Sequence, residues 1–336
     1  MRLVKGVVIT LGLIGLLYGL NLALTYFVVD YYVRILILCG LNAILAIGLN
    51  LINGTTGQFS IGHAGFMAVG AYTAAFTVVK VEALFGTTLQ HWPPLLAAGV
   101  CLTPGLIVGG LAAGLTGVVV GVPSLRLKGD YLAIVTLGFA EIIRLLFNNS
   151  TMFGGATGFS GGRPLGLTPY TNFFWVALWV IVCAYLIWNL TYSSSGRALR
   201  AIREDEIAAE AMGINTTRMK VMAFVVSAVA AGIAGGLFAH LQSSVSPNDF
   251  KMSRSVDVIV MIIVGGLGSL SGAIVGGVAV GLALELLRGF EKFRLIVYPL
   301  ILITLMLVRP DGIFGRHELS LNRVKRLFRR RSRAGS

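Results

Sequence analysis

Apolar runs separated by short polar stretches make up most of the chain. A helix needs about 20 predominantly apolar residues to cross a bilayer, and most of these runs come close to that length. The pattern predicts an all-α polytopic membrane protein of about ten transmembrane segments, some of them broken at Gly/Ser clusters. The predicted segments are 6–29, 33–52, a run that ends at 79, 93–121, 131–147, 173–192, 219–242, 256–264, a run that ends at 287, and 295–308.

Glycine and serine interrupt two of these runs, at 53–65 and at 265–272. The run before the second interruption, 256–264, is far too short to span, so a break is expected there. Paired broken segments point to a translocation path between two halves. Close helix packing is the alternative for the first break. The candidate path residues are Gly57, Gln58, Ser60, Gly62, His63, Gly65, Gly265, Gly266, Gly268 and Ser269.

The fifth predicted segment contains Glu141 and Arg144, which are three residues apart and therefore share one helical face. They can pair, which lowers the cost of both charges in lipid. Charges inside a membrane are candidates for function, and an ion pair near the outer interface is the alternative. A short exterior loop is expected at 82–92 and the longest one at 148–172, and Pro93 and Pro94 are expected to start the fourth segment.

One polar stretch, 193–220, lies between two long apolar segments and contains five basic and four acidic residues among good helix formers. Ser193 can cap the start of a helix, Gly213 can end it, and Asn215 can cap the next one. The stretch therefore predicts a short helical element outside the membrane. Its alanines, which include Ala208 and Ala209, would offer a surface that another protein can approach closely. A solvated connector helix is the alternative.

Composition agrees with the membrane prediction. Of 336 residues, 56% are hydrophobic and 12% charged, whereas a soluble domain carries about a quarter charged residues. The three cysteines lie in apolar segments and are expected to be buried thiols without disulfide or metal spacing. The net charge of +13 is attributed to basic cytoplasmic ends that face anionic lipid, not to nucleic-acid binding.

Charge also predicts the topology. The regions assigned to the cytoplasm hold 18 of the 27 Lys and Arg residues, which favours ten spans with both termini inside. The first run is longer than a signal-peptide core and lacks a small-residue cleavage site, so it is expected to be a retained span. The expected organisation is a permease domain at 1–318, which includes the element at 193–220, and a basic cytoplasmic tail at 319–336.

Several chemistries are absent from the sequence. No Gly-x-x-x-x-Gly-Lys-Ser/Thr motif is present, so any ATP that drives transport must bind another subunit. No metal-binding spacing is found. Ser60 and His63 lack a third orienting group and an oxyanion site for a protease. An ion-coupled secondary transporter would need midplane carboxylates, for which only Glu141 and Glu285 are candidates, or unwound carbonyl sites for its ion. A scaffold without transport would leave the paired breaks unexplained.

Four stretches carry a resemblance to a known family. They are GLNLINGTTGQFSIGHAGFMAVGAY (48–72), RLKGDYLAIVTLGFAEIIR (126–144), GRALRAIREDEIAAEAMGIN (196–215) and VGGLGSLSGAIVG (264–276). Together they resemble the LivM-type permease of branched-chain amino acid ABC importers. The third also looks like the loop of ABC importer permeases that docks the ATPase. Ala208, Ala209 and Gly213 fit that loop, but Ile207 takes its Glu position and Glu206 lies one residue early.

This resemblance implies several partners in a bacterial-type cytoplasmic (inner) membrane: a second homologous permease, two cytoplasmic ATP-binding subunits and an extracytoplasmic substrate-binding protein. It implies no cofactor on this chain, with ATP and Mg on the partner subunits. Urea or short amides are alternative substrates. The residues expected to couple the chain to the ATPase are Arg203, Glu204, Asp205, Glu206, Ala208, Ala209 and Gly213.

Overall fold

The computed structural model describes residues 2–89, 91–125, 127, 129–161, 167–287, 300 and 312. These residues fold into α-helices joined by short turns, and the described part contains no β-strand beyond one isolated bridge between Phe159 and Val245. The helices are α1 Arg2–Phe27, α2 Asp30–Asn50, α3 His63–Leu89, α4 Pro94–Ser124, α5 Asp130–Asn149, α6 Phe173–Tyr192, α7 Ser194–Glu204, α8 Glu206–Ala211, α9 Thr216–Gln242, α10 Met252–Gly265 and α11 Leu270–Leu286.

Five stretches of helix are long and apolar enough to cross a membrane: Asp30–Thr55, His63–Phe85, Pro94–Ser124, Phe173–Tyr192 and Thr216–Gln242. They confirm the all-α polytopic fold. The predicted tenth segment 295–308, apart from residue 300, and the basic tail 319–336 lie outside the described residues. The count of ten spans, the position of the termini and the division into 1–318 and 319–336 therefore stay predictions.

The centre of the bundle is formed by α3, α4 and α9, which approach each other through glycine. A methyl group placed on Gly70 would lie 2.2 Å from the Cα atom of Gly232, and one on Gly109 would lie 2.7 Å from the carbonyl oxygen of Gly70. Glycine permits such short distances between helix axes, which is how helices in lipid gain packing energy. The order of such glycine contacts along the helices shows that α3 and α9 run parallel and that α4 is antiparallel to both.

The exterior loop predicted at 82–92 is wrong for most of its length. Helix α3 continues to Leu89, and Glu82 is helical and only 9% exposed. The residues that follow it are mostly compatible with a helix, so the helix extends beyond its apolar core. The start of α4 at Pro94 is as predicted, with Pro93 as the preceding cap residue.

Helix α2 runs antiparallel to α9, so the bundle has two distinguishable ends. At one end Arg34 donates to the side chain of Gln242, and Tyr31 donates to Glu285 at 3.0 Å. At the other end α2 closes in a π-helical turn, Leu51–Thr55, beside the polar element that follows α6. We call this second end the coupling end, because the polar element α7–α8 lies there and contains the residues that are expected to couple the chain to an ATPase.

Helices α10 and α11 form a hairpin at the second break. A methyl group on Gly276 would lie 2.0 Å from the carbonyl oxygen of Met261, and one on Gly265 would lie 2.1 Å from that of Gly272. These pairs show that α11 folds back along α10, so the break reverses the chain direction. The tip of the hairpin, residues 266–269, lies at the coupling end because it contacts the end of α2. The predicted break is confirmed.

Candidate functional site

The polar stretch between α6 and α9 forms two helices where the sequence suggested one. Ser193 caps α7 by accepting a hydrogen bond from the Gly196 amide at 3.4 Å, as predicted. The backbone becomes extended at Asp205, whose side chain then accepts from the amides of Ile207 and Ala208 at 2.9 and 3.1 Å. Asp205 therefore starts a separate helix, α8, because its carboxylate satisfies amide groups that the new first turn leaves open.

The end of α8 is fixed as predicted. Gly213 has φ +82°, its amide donates to Glu210 at 2.9 Å, and the Ile214 amide donates to Ala209 at 3.1 Å. These two bonds form the Schellman motif, in which the left-handed residue is usually glycine. Asn215 then caps α9 by accepting from the Arg218 amide at 2.9 Å. The short helix is therefore held at both ends by hydrogen bonds that its own sequence provides.

Two apolar side chains on this element are exposed. Ile207 is 74% exposed and Met212 is 83% exposed, and Ala208 between them is also exposed. Ala209 is only 4% exposed, so the prediction that it offers a contact surface is wrong. With Asp205 as N-cap, Ala209 is the fourth residue of α8 and points toward the chain's own helices. The exposed face consists of Ile207, Ala208, Ala211 and Met212, with Glu204, Asp205, Glu210 and Gly213 also exposed.

The opposite face of α8 is bonded to the start of α9. Lys220, almost fully buried, donates to Glu206 at 2.6 Å, and Thr216 donates to Glu210 at 2.6 Å. An ion pair with one buried partner is more costly to break than a surface pair, because it leaves a charge without its counterion. Helix α8 is therefore tied to the start of α9 by these two contacts.

The two breaks meet at the coupling end. Asn50, in the last turn of α2, accepts from the Gly268 amide at 2.9 Å and donates to the Ser269 carbonyl at 3.0 Å. A methyl group on Gly54 would lie 2.4 Å from the Gly268 nitrogen, so the two backbones are in contact. Paired breaks were predicted, but composition did not show that they touch or which residue joins them.

Asn53 has a similar role within the first break. Its side chain donates to the Ser60 carbonyl at 3.4 Å and accepts from the Ser60 amide at 3.2 Å, closing the loop on itself. Asn50 and Asn53 were not among the predicted site residues. A signal for both was present, since two asparagines within an apolar run need buried hydrogen-bond partners.

Among the predicted path residues, Gly62 and Gly65 contact helix α5. Methyl groups there would lie 2.6 Å from the Thr136 carbonyl oxygen and 2.7 Å from the Ala140 Cα atom. Ile61 adds a hydrogen bond from its amide to the Thr136 hydroxyl at 3.1 Å. These two glycines therefore allow close packing against α5, and a role for them in a path stays a prediction.

The polar side chains of the first break lie inside the bundle. Ser60 and His63 are completely buried, and Gln58 is 9% exposed. The Ser60 hydroxyl and the His63 ring nitrogens form no hydrogen bond with each other or with any other described residue. A nucleophile and its base would be hydrogen-bonded, so the described geometry gives no support to a protease. Their role in a path stays a prediction, as does that of Gly57, Gly265, Gly266, Gly268 and Ser269.

Glu141 and Arg144 form the predicted pair. The Arg144 Nε atom donates to Glu141 Oε1 at 2.8 Å, and the two side chains are 18% (Arg144) and 44% (Glu141) exposed. They lie in the last turns of α5, at the end of the bundle opposite the coupling end. The pairing is confirmed, and a function for it stays a prediction.

Comparison with known proteins identifies the family. The family described as "Branched-chain amino acid transport system / permease component" matches residues 31–308. The LivM high-affinity branched-chain amino acid permease proteins of Salmonella typhimurium and Escherichia coli are each 36% identical over 300 residues, which is 80% of this chain and 67% of the relative. The LivH permease protein of Escherichia coli is 28% identical over 295 residues, 82% of this chain and 92% of the relative. No solved structure matches.

The chain therefore belongs to the permease family of branched-chain amino acid transport systems. The match spans both breaks, the α7–α8 element and the described helices from α2 onward. It confirms the family that the sequence motifs resemble.

Proposed function

We propose that this permease is a membrane-spanning subunit of an ATP-driven importer for leucine, isoleucine and valine. The observation that carries the proposal is helix α8, a short helix with exposed apolar side chains at the coupling end of a membrane bundle. The family and the names of the relatives support the substrate class. The absence of a phosphate-binding loop from the sequence supports an ATPase on a separate subunit.

Docking follows from the physical character of α8. Exposed apolar groups outside the lipid are unfavourable unless a partner covers them, since burial gains about 25 cal/mol per Å². Ile207 and Met212 would insert into a cleft of the cytoplasmic ATPase, and the exposed acidic residues Glu204 and Asp205 would form the rim of the interface. The caps at both ends keep the helix in place, which lowers the entropy cost of docking.

The proposed complex contains further subunits. LivM and LivH relatives both resemble this chain, which supports a pair of homologous permeases. Two cytoplasmic ATP-binding subunits would hold ATP and Mg, and a soluble binding protein would deliver the substrate from the other side. The membrane would be the cytoplasmic membrane of a bacterial-type cell, with both termini of this chain in the cytoplasm.

Replacing Ile207 with glutamate tests the docking surface. We expect co-purified ATPase to fall about tenfold or more, because a charge would be buried in the interface without a partner. Insertion into the membrane should be close to normal, since Ile207 is 74% exposed and lies outside the membrane-spanning helices. The measurement is the ratio of ATPase subunits to tagged permease after solubilisation, with uptake of labelled leucine measured in parallel.

Ser194→Glu is the matched control, because Ser194 is also exposed and begins α7, where an acidic side chain suits the helix N-terminus. It should leave ATPase association unchanged. Full association and full uptake for Ile207→Glu would show that α8 is a connector helix. Ala209→Glu cannot serve this purpose, since Ala209 is buried and its replacement would disturb α8 itself.

A second experiment separates an ATP-driven importer from an ion-coupled transporter. In vesicles that contain the complete complex, uptake of labelled leucine should require ATP and continue after an uncoupler collapses the proton gradient. Isoleucine and valine should compete with leucine, and urea should not. Loss of uptake on uncoupling, at constant ATP, would contradict the proposal, and competition by urea would change the substrate class.

A further inference from the structure

Arg203 points away from the exposed face of α8 and into the contact between the two breaks. It lies in the last turn of α7, and its guanidinium donates to the carbonyl oxygen of Gly54 at the end of α2. A methyl group on Gly57 would lie 2.7 Å from Arg203 Cγ, and one on Gly268 would lie 3.1 Å from Arg203 Nη1. One side chain of the α7–α8 element therefore touches both breaks.

The electrostatics of this position favour a cation. Helix α2 ends in the π turn that contains Gly54, and α10 ends at Gly265, just before the hairpin tip. The C-terminal end of a helix carries a partial negative charge, and its last carbonyl groups lack partners within the helix. The guanidinium of Arg203 lies at the C-terminal end of α2, which favours its hydrogen bond to Gly54, whereas at the hairpin tip the end of α10 and the start of α11 carry opposite partial charges.

The space around Arg203 also depends on glycine. Gly268 has φ +90°, a conformation that other residues rarely adopt, and its missing side chain leaves room for the guanidinium. The other two arginines of α7, Arg197 and Arg200, are exposed. Among the described residues, Arg200 reaches the Thr191 carbonyl and the Tyr192 ring, both in the last turn of α6. Arg203 is thus the arginine of α7 that faces the breaks.

We propose that Arg203 is a positioning residue that transmits movement of the docked α7–α8 element to the two breaks. While α7 stays in the position that the structure shows, Arg203 holds Gly54 and Gly268 together. When the ATPase moves the element, Arg203 withdraws and the breaks separate. This inference rests on the proposed function, because the force on α7 comes from the ATPase. It differs from that function in assigning Arg203 to the inside of the permease and not to the docking interface.

The test uses the complete transporter with Arg203→Met, which keeps an unbranched side chain and removes the charge and donors. Association of the ATPase should be unchanged, and ATP hydrolysis should continue. Uptake driven by the binding protein should fall about tenfold, the factor expected for one hydrogen bond to a charged group. Arg203→Lys keeps the charge and a donor, and should recover part of the uptake. Arg200→Met, on the same helix, should transport normally.

A distance measurement shows whether the breaks are the target. Phe59 and Leu267, 43% and 39% exposed, flank the contact and can be replaced by cysteine for spin labels. The native Cys39, Cys101 and Cys183 are buried and should react poorly. We expect a narrow distance distribution without ATP in the otherwise unchanged protein, and a broad one when Arg203→Met is added.

The outcomes separate the two proposals. Loss of ATPase association in Arg203→Met would place Arg203 in the docking interface and overturn the inference. Normal uptake, or an unchanged distance distribution with uptake lost, would also overturn it. If Arg203→Met does not assemble as a permease, uptake and the distance distribution are measured in Arg203→Lys instead, and normal values of either would overturn the inference. A transporter without ATP-dependent uptake before any substitution would instead refute the proposed function.

Discussion

Gly70→Leu is expected to prevent the permease from accumulating in folded form. Gly70 is where α3 meets α9 and α4, and even a single methyl group there would lie 2.2 Å from both the Cα atom and the carbonyl oxygen of Gly232. Because these neighbours are backbone atoms of a helix, the clash is relieved only by separating the helices. Overpacking of this kind costs about 3 kcal/mol or more, and here it would also disturb the contact of α4 at Gly109. The measurement is the fraction of tagged protein that elutes as a single species after solubilisation.

The control is Gly138→Leu on α5. A methyl group on Gly138 would meet nothing within 4 Å, and the residue is exposed. Leucine there removes the conformational cost of a glycine within a helix, so stability should be equal or higher by up to about 1 kcal/mol. If both variants fold equally well, the close approach of α3 to α9 is not required for the fold.

The boundaries of the α7–α8 element were largely predictable from local sequence. Ser193, Gly213 and Asn215 cap the helices that they were expected to cap, since a cap depends on side chains and backbone groups within a few residues. The interruption at Asp205 was missed. Its residue type suits a cap as well as a helix surface, and its neighbours along the chain do not distinguish the two positions.

Burial in this element could not be predicted from residue type. Ala209 was expected on the surface and is buried, whereas Ile207 and Met212 are exposed although both are apolar. Which side of a six-residue helix faces the bundle depends on the direction in which α7 ends and α9 begins. That direction is set by long-range contacts such as Lys220 with Glu206, which span 14 residues.

For the two breaks, too, the local backbone was predictable from the sequence and the contact between distant segments was not. Glycine and serine in an apolar run predict irregular backbone wherever they occur. The contact between Gly54 and Gly268 joins positions 214 residues apart, and no spacing rule reports it. Arg203 was predicted to couple the chain to the ATPase because it lies in a polar stretch. Its contact with Gly54 was not predictable from its neighbours along the chain.

Asn50→Leu is expected to abolish uptake even where the protein still inserts. The side-chain amide of Asn50 both accepts from the Gly268 amide and donates to the Ser269 carbonyl, and leucine of similar volume can do neither. Asn50 is 4% exposed and Ser269 is fully buried, so the Ser269 carbonyl loses this partner away from water, and the partly buried Gly268 amide loses its acceptor. Two such losses cost about 3 kcal/mol, enough to let the hairpin tip move from the end of α2. Thermal unfolding of the solubilised protein and leucine uptake measure the two effects.

Asn50→Asp separates the donor from the acceptor. Aspartate keeps the bond from Gly268 but cannot donate to Ser269, and it places a charge in a buried site, so it should transport no better than Asn50→Leu. Asn149→Leu, at the exposed last residue of α5, should behave normally. Because Asn50 bonds both the amide and the carbonyl of the hairpin tip, restoring only one bond leaves the tip free to rotate about the other. Normal uptake by Asn50→Asp would therefore show that holding the Gly268 amide is sufficient, and that the bond to Ser269 does not position the break.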